Sequence, residues 1–160
     1  MPVSHVSIPV SDIKKSTAFY KTLLDPFGYA VFKDMGSVVG FAPKYGNPDF
    51  WLHSSPEESK PASGSPNLTA HVAFDGTSEK AVQDWHRMAL TAGATCNGPP
   101  GERHYVKGYY AAFVLDPDGN NIECLYFQPW WLVALQKAPL ALSVLAVGAA
   151  WWVGKKGYII

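Results

Sequence analysis

Apolar and polar positions alternate at the start of the chain. Over residues 3–10, Val6, Ile8 and Val10 share one parity while His5, Ser7 and Pro9 take the other, which predicts a half-buried strand with His5 on its polar side. The period then lengthens. Ile13, Ala18, Phe19, Leu23 and Leu24 recur at helical spacing, with Ser11 or Asp12 placed to cap the first turn and Asp25-Pro26-Phe27-Gly28 placed to end the helix. Short β-rich runs follow at residues 29–35, 37–43 and 49–54, separated by Gly36 and by residues 44–48.

Residues 55–67 are rich in serine and proline and offer little to a core, so they read as a linker. Beyond them the pattern restarts. Residues 68–74 predict a strand with His71 and Ala73 opposite Val72 and Phe74, and residues 78–92 predict a helix with Ala81, Trp85, Met88 and Ala89 on one stripe, ended by Gly93. His86, on the same helix, reads as a surface residue without a role. Further strands are expected at 94–97, 109–115 and 121–127. His5 precedes Gly28 by 23 positions and His71 precedes Gly93 by 22, so the two halves repeat one plan. Laying residues 49–53 over 121–125 makes Trp51 the counterpart of Glu123. The expected fold class is α+β: two βαβββ modules, about 3–54 and 68–128, forming a curved mixed sheet cup with helices on its convex face. An apolar C-terminal helix over 129–160 completes it.

The chain's 160 residues suit one domain of ordinary size. Thirteen basic and thirteen acidic residues balance, and the first 130 residues hold no cluster of Lys or Arg, so nucleic acid is not an expected partner. Cys96 and Cys124 fall in expected strands, and the N-terminus lacks the basic, apolar, small-residue order of a signal peptide. A cytoplasmic setting is the expectation.

If the helices take the apolar parity, the concave face receives His5, His71 and Glu123, together with Trp51 and His53. Two imidazoles and one carboxylate form a set that holds a divalent ion such as Fe, Mn, Ni or Zn and leaves positions open for substrate. A single strand histidine is more often a hydrogen-bonded structural residue, but two at equivalent places in two modules point to ligands. His53 shares their parity and is a candidate fourth ligand or base. Residues 98–108 combine Gly and Pro with polar side chains, as a lid would. Arg103, His104 and Tyr105 from this stretch, with Tyr109, Phe113 and Trp51, are the candidate substrate pocket.

The runs His5-Val6-Ser7-Ile8-Pro9-Val10-Ser11-Asp12, Phe19-Tyr20-Lys21, Thr69-Ala70-His71-Val72-Ala73-Phe74 and Asp116-Pro117-Asp118-Gly119-Asn120-Asn121-Ile122-Glu123 resemble the vicinal oxygen chelate superfamily. That group includes glyoxalase I, fosfomycin-resistance proteins, extradiol dioxygenases and bleomycin-resistance proteins. The resemblance covers about residues 3–128 and implies one divalent metal held by His5, His71 and Glu123, with Glu123 catalytic. Where glyoxalase I has its second ligating Glu, this chain has Trp51, which neither ligates nor takes a proton. The expected activity is therefore a metal-dependent glyoxalase-like lyase, isomerase or thiol-adding enzyme acting on a small oxygen-chelating or electrophilic substrate. An extradiol-type dioxygenase and a non-catalytic sequestering protein of the bleomycin-resistance kind are the alternatives. The resemblance also implies a homodimer.

Outside the resemblance, residues 130–153 are almost wholly apolar, with tryptophan pairs at both ends. As one helix they would extend about 36 Å, which makes attachment to an intracellular membrane a candidate role. Lys137 and Pro139 interrupt the run, leaving 14 residues, 140–153, unbroken. That is shorter than the roughly 17–25 that a span needs, and a helix packed on protein is the other reading.

Overall fold

The computed structural model describes residues 3–55, 69–104 and 106–136. Two mixed four-stranded sheets organise them. The first runs β1(Val6–Val10), α1(Ile13–Leu24), β2(Tyr29–Asp34), β3(Val38–Pro43), β4(Phe50–Ser54), and its strands lie in the order β1-β4-β3-β2. The second runs β5(His71–Asp75), α2(Glu79–Thr91), β6(Thr95–Glu102), β7(Tyr109–Leu115), β8(Asn121–Phe127), ordered β5-β8-β7-β6. In each module the first strand pairs parallel with the last, Ser7 beside Trp51 and Ala73 beside Glu123. The matching registers confirm the repeat and make Trp51 the positional counterpart of Glu123.

Local chemistry accounts for the helix ends. The Asp12 carboxylate accepts from the backbone N–H groups of Lys14 and Lys15, both at 3.0 Å, and Ser78 Oγ accepts from Ala81 N–H at 3.1 Å, satisfying donors that a helix start leaves free. Gly28, at φ 74°, supplies the left-handed residue that turns the chain from a short 3-10 turn (Asp25–Phe27) into β2. Each helix covers the inner parity of its sheet: Tyr20, Leu23 and Leu24 meet Phe41, Phe50 and Leu52, while Val82, Trp85 and Ala89 meet Val114, Ile122 and Cys124. The modules join through the helices, where the Trp85 indole N–H donates to Leu23 O at 3.1 Å.

The structure revises several expectations. His5 lies one residue ahead of β1, because the ladder begins where Val6 N–H donates to Asp49 O. The β5 strand starts at His71, later than expected. Residues 98–102 form the second half of β6, not a lid loop. Two register shifts against β7, from Cys96 to Gly98 and from Gly98 to Gly101, absorb the prolines between them, which have no N–H to give a ladder. His86 is buried at 8% exposure, its Nε2 3.2 Å from Cys96 Sγ, because it shares the inward face of α2 with Val82 and Ala89. In the tail the described helix is α3(Trp130–Gln136), with Trp130 and Trp131 exposed. The linker reading for 56–67, the pocket assignment of Tyr105 and the anchor reading for 137–153 lie outside the described residues. No helix among the described residues is long and apolar enough to cross a membrane.

Candidate functional site

The second module's open face carries the densest chemistry, and the Asp116–Asn120 turn sets it up. The buried Asp116 carboxylate accepts from the backbone N–H groups of Asp118 and Asn120 and from the Asn120 amide, at 2.8–2.9 Å. Asn120 Oδ1 in turn accepts from Ala70 N–H at 3.0 Å, and Asn121 N–H donates to Ala70 O at 2.8 Å. One turn thus fixes the starts of β5 and β8 together, and with them His71 and Glu123.

Glu123 is 3% exposed, and both its oxygens have partners. The Tyr109 hydroxyl donates to Oε1, and His71 Nε2 stands 3.1 Å from Oε2. His71 Nδ1 lies 2.8 Å from the Asn121 side-chain amide nitrogen. If that amide donates to Nδ1, the ring proton sits on Nε2 and is shared with the carboxylate, an assignment made from the hydrogen-bond network. The tyrosine and the imidazole together fix the orientation of this nearly buried carboxylate. Phe113, opposite Glu123 in the ladder, stacks on the His71 ring with centroids 6.2 Å apart. The Arg103 guanidinium lies 4.9 Å over the Phe113 ring and donates to Pro99 O and Ala111 O at 2.8 and 2.7 Å. Arg103 therefore braces the wall across the bulged β6. His104 is exposed in the turn beyond it.

The first module presents a different surface. His5, exposed, accepts or donates at Ser4 Oγ through Nδ1 at 2.9 Å and stands edge-on to Trp51 with ring centroids 6.4 Å apart. The Trp51 ring lies against Gly40, where an added Cβ would fall 2.6 Å from a ring carbon, so that glycine makes room for the indole. His5, Ser7, Val38 and Trp51 border a shallow hollow of about 760 Å³. His53 Nδ1 is 2.8 Å from Ser7 Oγ on the same sheet.

The structure thus brings His71 and Glu123 together and sets His5 and His53 apart from them. Among the described residues no three His, Cys, Asp or Glu side chains converge as a metal-holding group. The His71–Glu123 pair by itself suits two adjacent ligands, since metal–donor bonds of about 2.0–2.2 Å at right angles put neighbouring donors ~3 Å apart. Sequence reasoning placed Tyr109 in the pocket but missed its bond to Glu123. It also missed Asn121, whose side chain shares the His71 parity and was there to be found.

No curated protein sequence matches the chain. Among solved structures it is similar to a glyoxalase/bleomycin resistance protein from Albidiferax ferrireducens T118, with 29% identity, a TM-score of 0.59, and coverage of 79% of this chain and 98% of that one. A glyoxalase/bleomycin resistance protein/dioxygenase family enzyme from Burkholderia phytofirmans PsJN shares the fold at 22% identity and a TM-score of 0.64, covering 80% and 100%. A lactoylglutathione lyase from Agrobacterium tumefaciens does so at 21% and 0.56, covering 78% and 92%. The repeated βαβββ registers agree with a family model that matches residues 3–124, and the chain belongs to the Glyoxalase/Bleomycin resistance protein/Dioxygenase superfamily.

Proposed function

We propose that the protein is a metal-dependent glyoxalase-like enzyme whose working centre is the His71–Glu123 pair. The observation that carries this reading is the nearly buried Glu123 carboxylate, aligned by Tyr109 on one oxygen and by His71, 3.1 Å away, on the other. His71 and Glu123 would hold a divalent ion as two neighbouring ligands; when bound, the ion supplies Lewis-acid polarisation of a chelating substrate. To ligate through Nε2, His71 carries its proton on Nδ1, and a rotated Asn121 amide accepts it. Glu123 takes a proton from substrate as Tyr109 keeps the carboxylate in place. The ring wall of Phe113, braced by Arg103, keeps water from one side of the imidazole. Lyase, isomerase or thiol-addition chemistry on a small electrophilic or oxygen-chelating substrate fits a single proton acceptor better than a dioxygenase does, because His53 is engaged by Ser7 on the other sheet and His104 is exposed in its turn. The proposal includes a cytoplasmic homodimer.

One observation favours a second reading. His5 stands beside Trp51 and not beside His71, leaving an aromatic hollow that suits sequestering a planar molecule without turnover. Metal content separates the two. The full chain, loaded with Fe²⁺, Mn²⁺, Ni²⁺ or Zn²⁺ in turn and desalted, should retain about one equivalent by elemental analysis. His71→Ala and Glu123→Gln should each lose it. Retention no greater than in these variants sinks the enzyme reading and leaves the sequestering one.

A further inference from the structure

The β5 strand is open along one side. Asn121 N–H donates to Ala70 O and Gly76 N–H donates to Leu125 O, so the even-numbered residues of this stretch turn their backbone groups to β8. In a parallel ladder the residues between them point the other way. The N–H and C=O groups of Ala73 and Asp75 therefore lie on the outer edge, where β5 has no second neighbour among the described residues. None of its five residues is buried.

A cavity of about 590 Å³ runs along this edge. Val72, Ala73, Phe74, Asp75 and Gly76 all line it. Consecutive strand residues send their side chains to opposite faces, so they share one cavity only where it meets the strand edge-on. Residues 3–6 of the first module border the same space. One wall is aromatic: Phe74 stacks on Phe27 at 5.3 Å and meets Phe50 at 5.6 Å, with Trp85 of α2 beside them. Val72 and Phe74 pack toward the core on that side, and Ala73 and Asp75 take the other face. Asp75 is exposed, and no Lys or Arg lines the cavity.

We propose that this edge takes up an extended peptide as an added strand beside β5, one in which apolar and basic residues alternate. Backbone pairing matches the donors and acceptors that Ala73 and Asp75 leave open, the mode by which sheet edges capture extended segments. Side chains of the guest alternate between faces. Every second one reaches the wall of Phe27, Phe74 and Trp85, and those between lie level with Asp75, where a Lys or Arg meets the carboxylate. An acidic residue there meets repulsion. Neither Glu123 nor His71 lines the cavity, and the site does not depend on the proposed enzyme activity.

The test titrates the full chain with the peptide acetyl-Lys-Val-Lys-Phe-Lys-amide, with its counterpart carrying Glu for every Lys, and with two N-methylated forms, one blocked at the Lys amides and one at the Val and Phe amides. Calorimetry and amide hydrogen exchange by NMR give the readouts. The basic peptide should bind saturably and at least about tenfold more tightly than the acidic one. Asp75→Asn, at an exposed position, should remove that preference. Exchange at the Ala73 and Asp75 amides should slow at least about tenfold in the complex, while Val72 and Phe74, already bonded to β8, change less than about twofold. One methylated form should lose binding and the other keep it, since alternate amides face β5. No saturable binding, equal affinity for the basic and acidic peptides, or unchanged exchange at Ala73 and Asp75 overturns the proposal. So does slow exchange at both amides in the free protein that quickens on dilution, which assigns the edge to a second copy of the chain.

Discussion

Asp116→Ala removes the buried one of two side chains, Asp116 and Asp118, that tie the first module's helix to the second module's turn. The carboxylate is 5% exposed and accepts the Tyr20 hydroxyl at 2.7 Å and the Asn120 amide at 2.8 Å, besides two backbone N–H groups. Tyr20 and Asn120 are themselves 0% and 2% exposed, so truncation strands two buried side-chain donors beyond the reach of water. Each stranded group costs about 1–3 kcal/mol, which gives ~4 kcal/mol for the pair. With a urea slope of about 2 kcal/mol/M, the unfolding midpoint followed by circular dichroism should fall by ~2 M at unchanged slope. Tyr20→Phe removes a single bond to a charged group and should cost about 1.5–3 kcal/mol. In the double variant no tyrosine hydroxyl is left stranded, so its loss should fall short of the summed single losses by about 1–3 kcal/mol. A loss below ~1 kcal/mol for Asp116→Ala, or additivity within ~0.5 kcal/mol, would refute the lock.

Two further outcomes can be checked in solution. Of the two cysteines, Cys96 is exposed whereas Cys124 is buried and its thiol is pushed up to about 12 by burial and the nearby Glu123 and Asp75 charges. Iodoacetamide should therefore add one label per native chain and a second only in denaturant, and two labels at equal rates under native conditions would contradict the burial. Burial also lowers the His86 pKa from its ordinary value, so the fold prefers neutral imidazole. That contribution is present above pH ~6.5 and is lost as pH falls through the folded pKa. The acid-side slope of stability should be shallower in His86→Gln, and an identical slope would remove His86 from the account.

The repeat was legible because its carriers obey strand and helix periods: Ile8 and Val10 are buried, and Val72 and Phe74 are partly buried between exposed neighbours, as alternation requires. Capping was legible for the same local reason, at Asp12 and Ser78. Residues 98–102 misled, since glycine and proline argue for a loop until a neighbouring strand supplies bulged pairing, which is a tertiary fact. His86 misled because the inward stripe of α2 is wider than the apolar residues alone suggest. At the site, parity placed His71 and Glu123 on one face but could not give the separation between modules, so it did not foresee His5 standing beside Trp51. The bond from the Tyr29 hydroxyl to Asp49 escaped notice for a related reason, since 20 positions separate the two and no motif links them.

The four sheet edges differ in how they are closed to further strands. At β6, Pro99 and Pro100 and two register shifts interrupt the outward row of donors. A shift between Val31 and Lys33 breaks the run of β2, and β1 carries Pro9. The β5 strand, His71-Val72-Ala73-Phe74-Asp75, has neither proline nor bulge. Strand pairing from outside, whether from another chain or in aggregation, is therefore least obstructed along β5. A lysine or proline introduced there would be the natural safeguard, but on this strand it would sit within a few residues of His71.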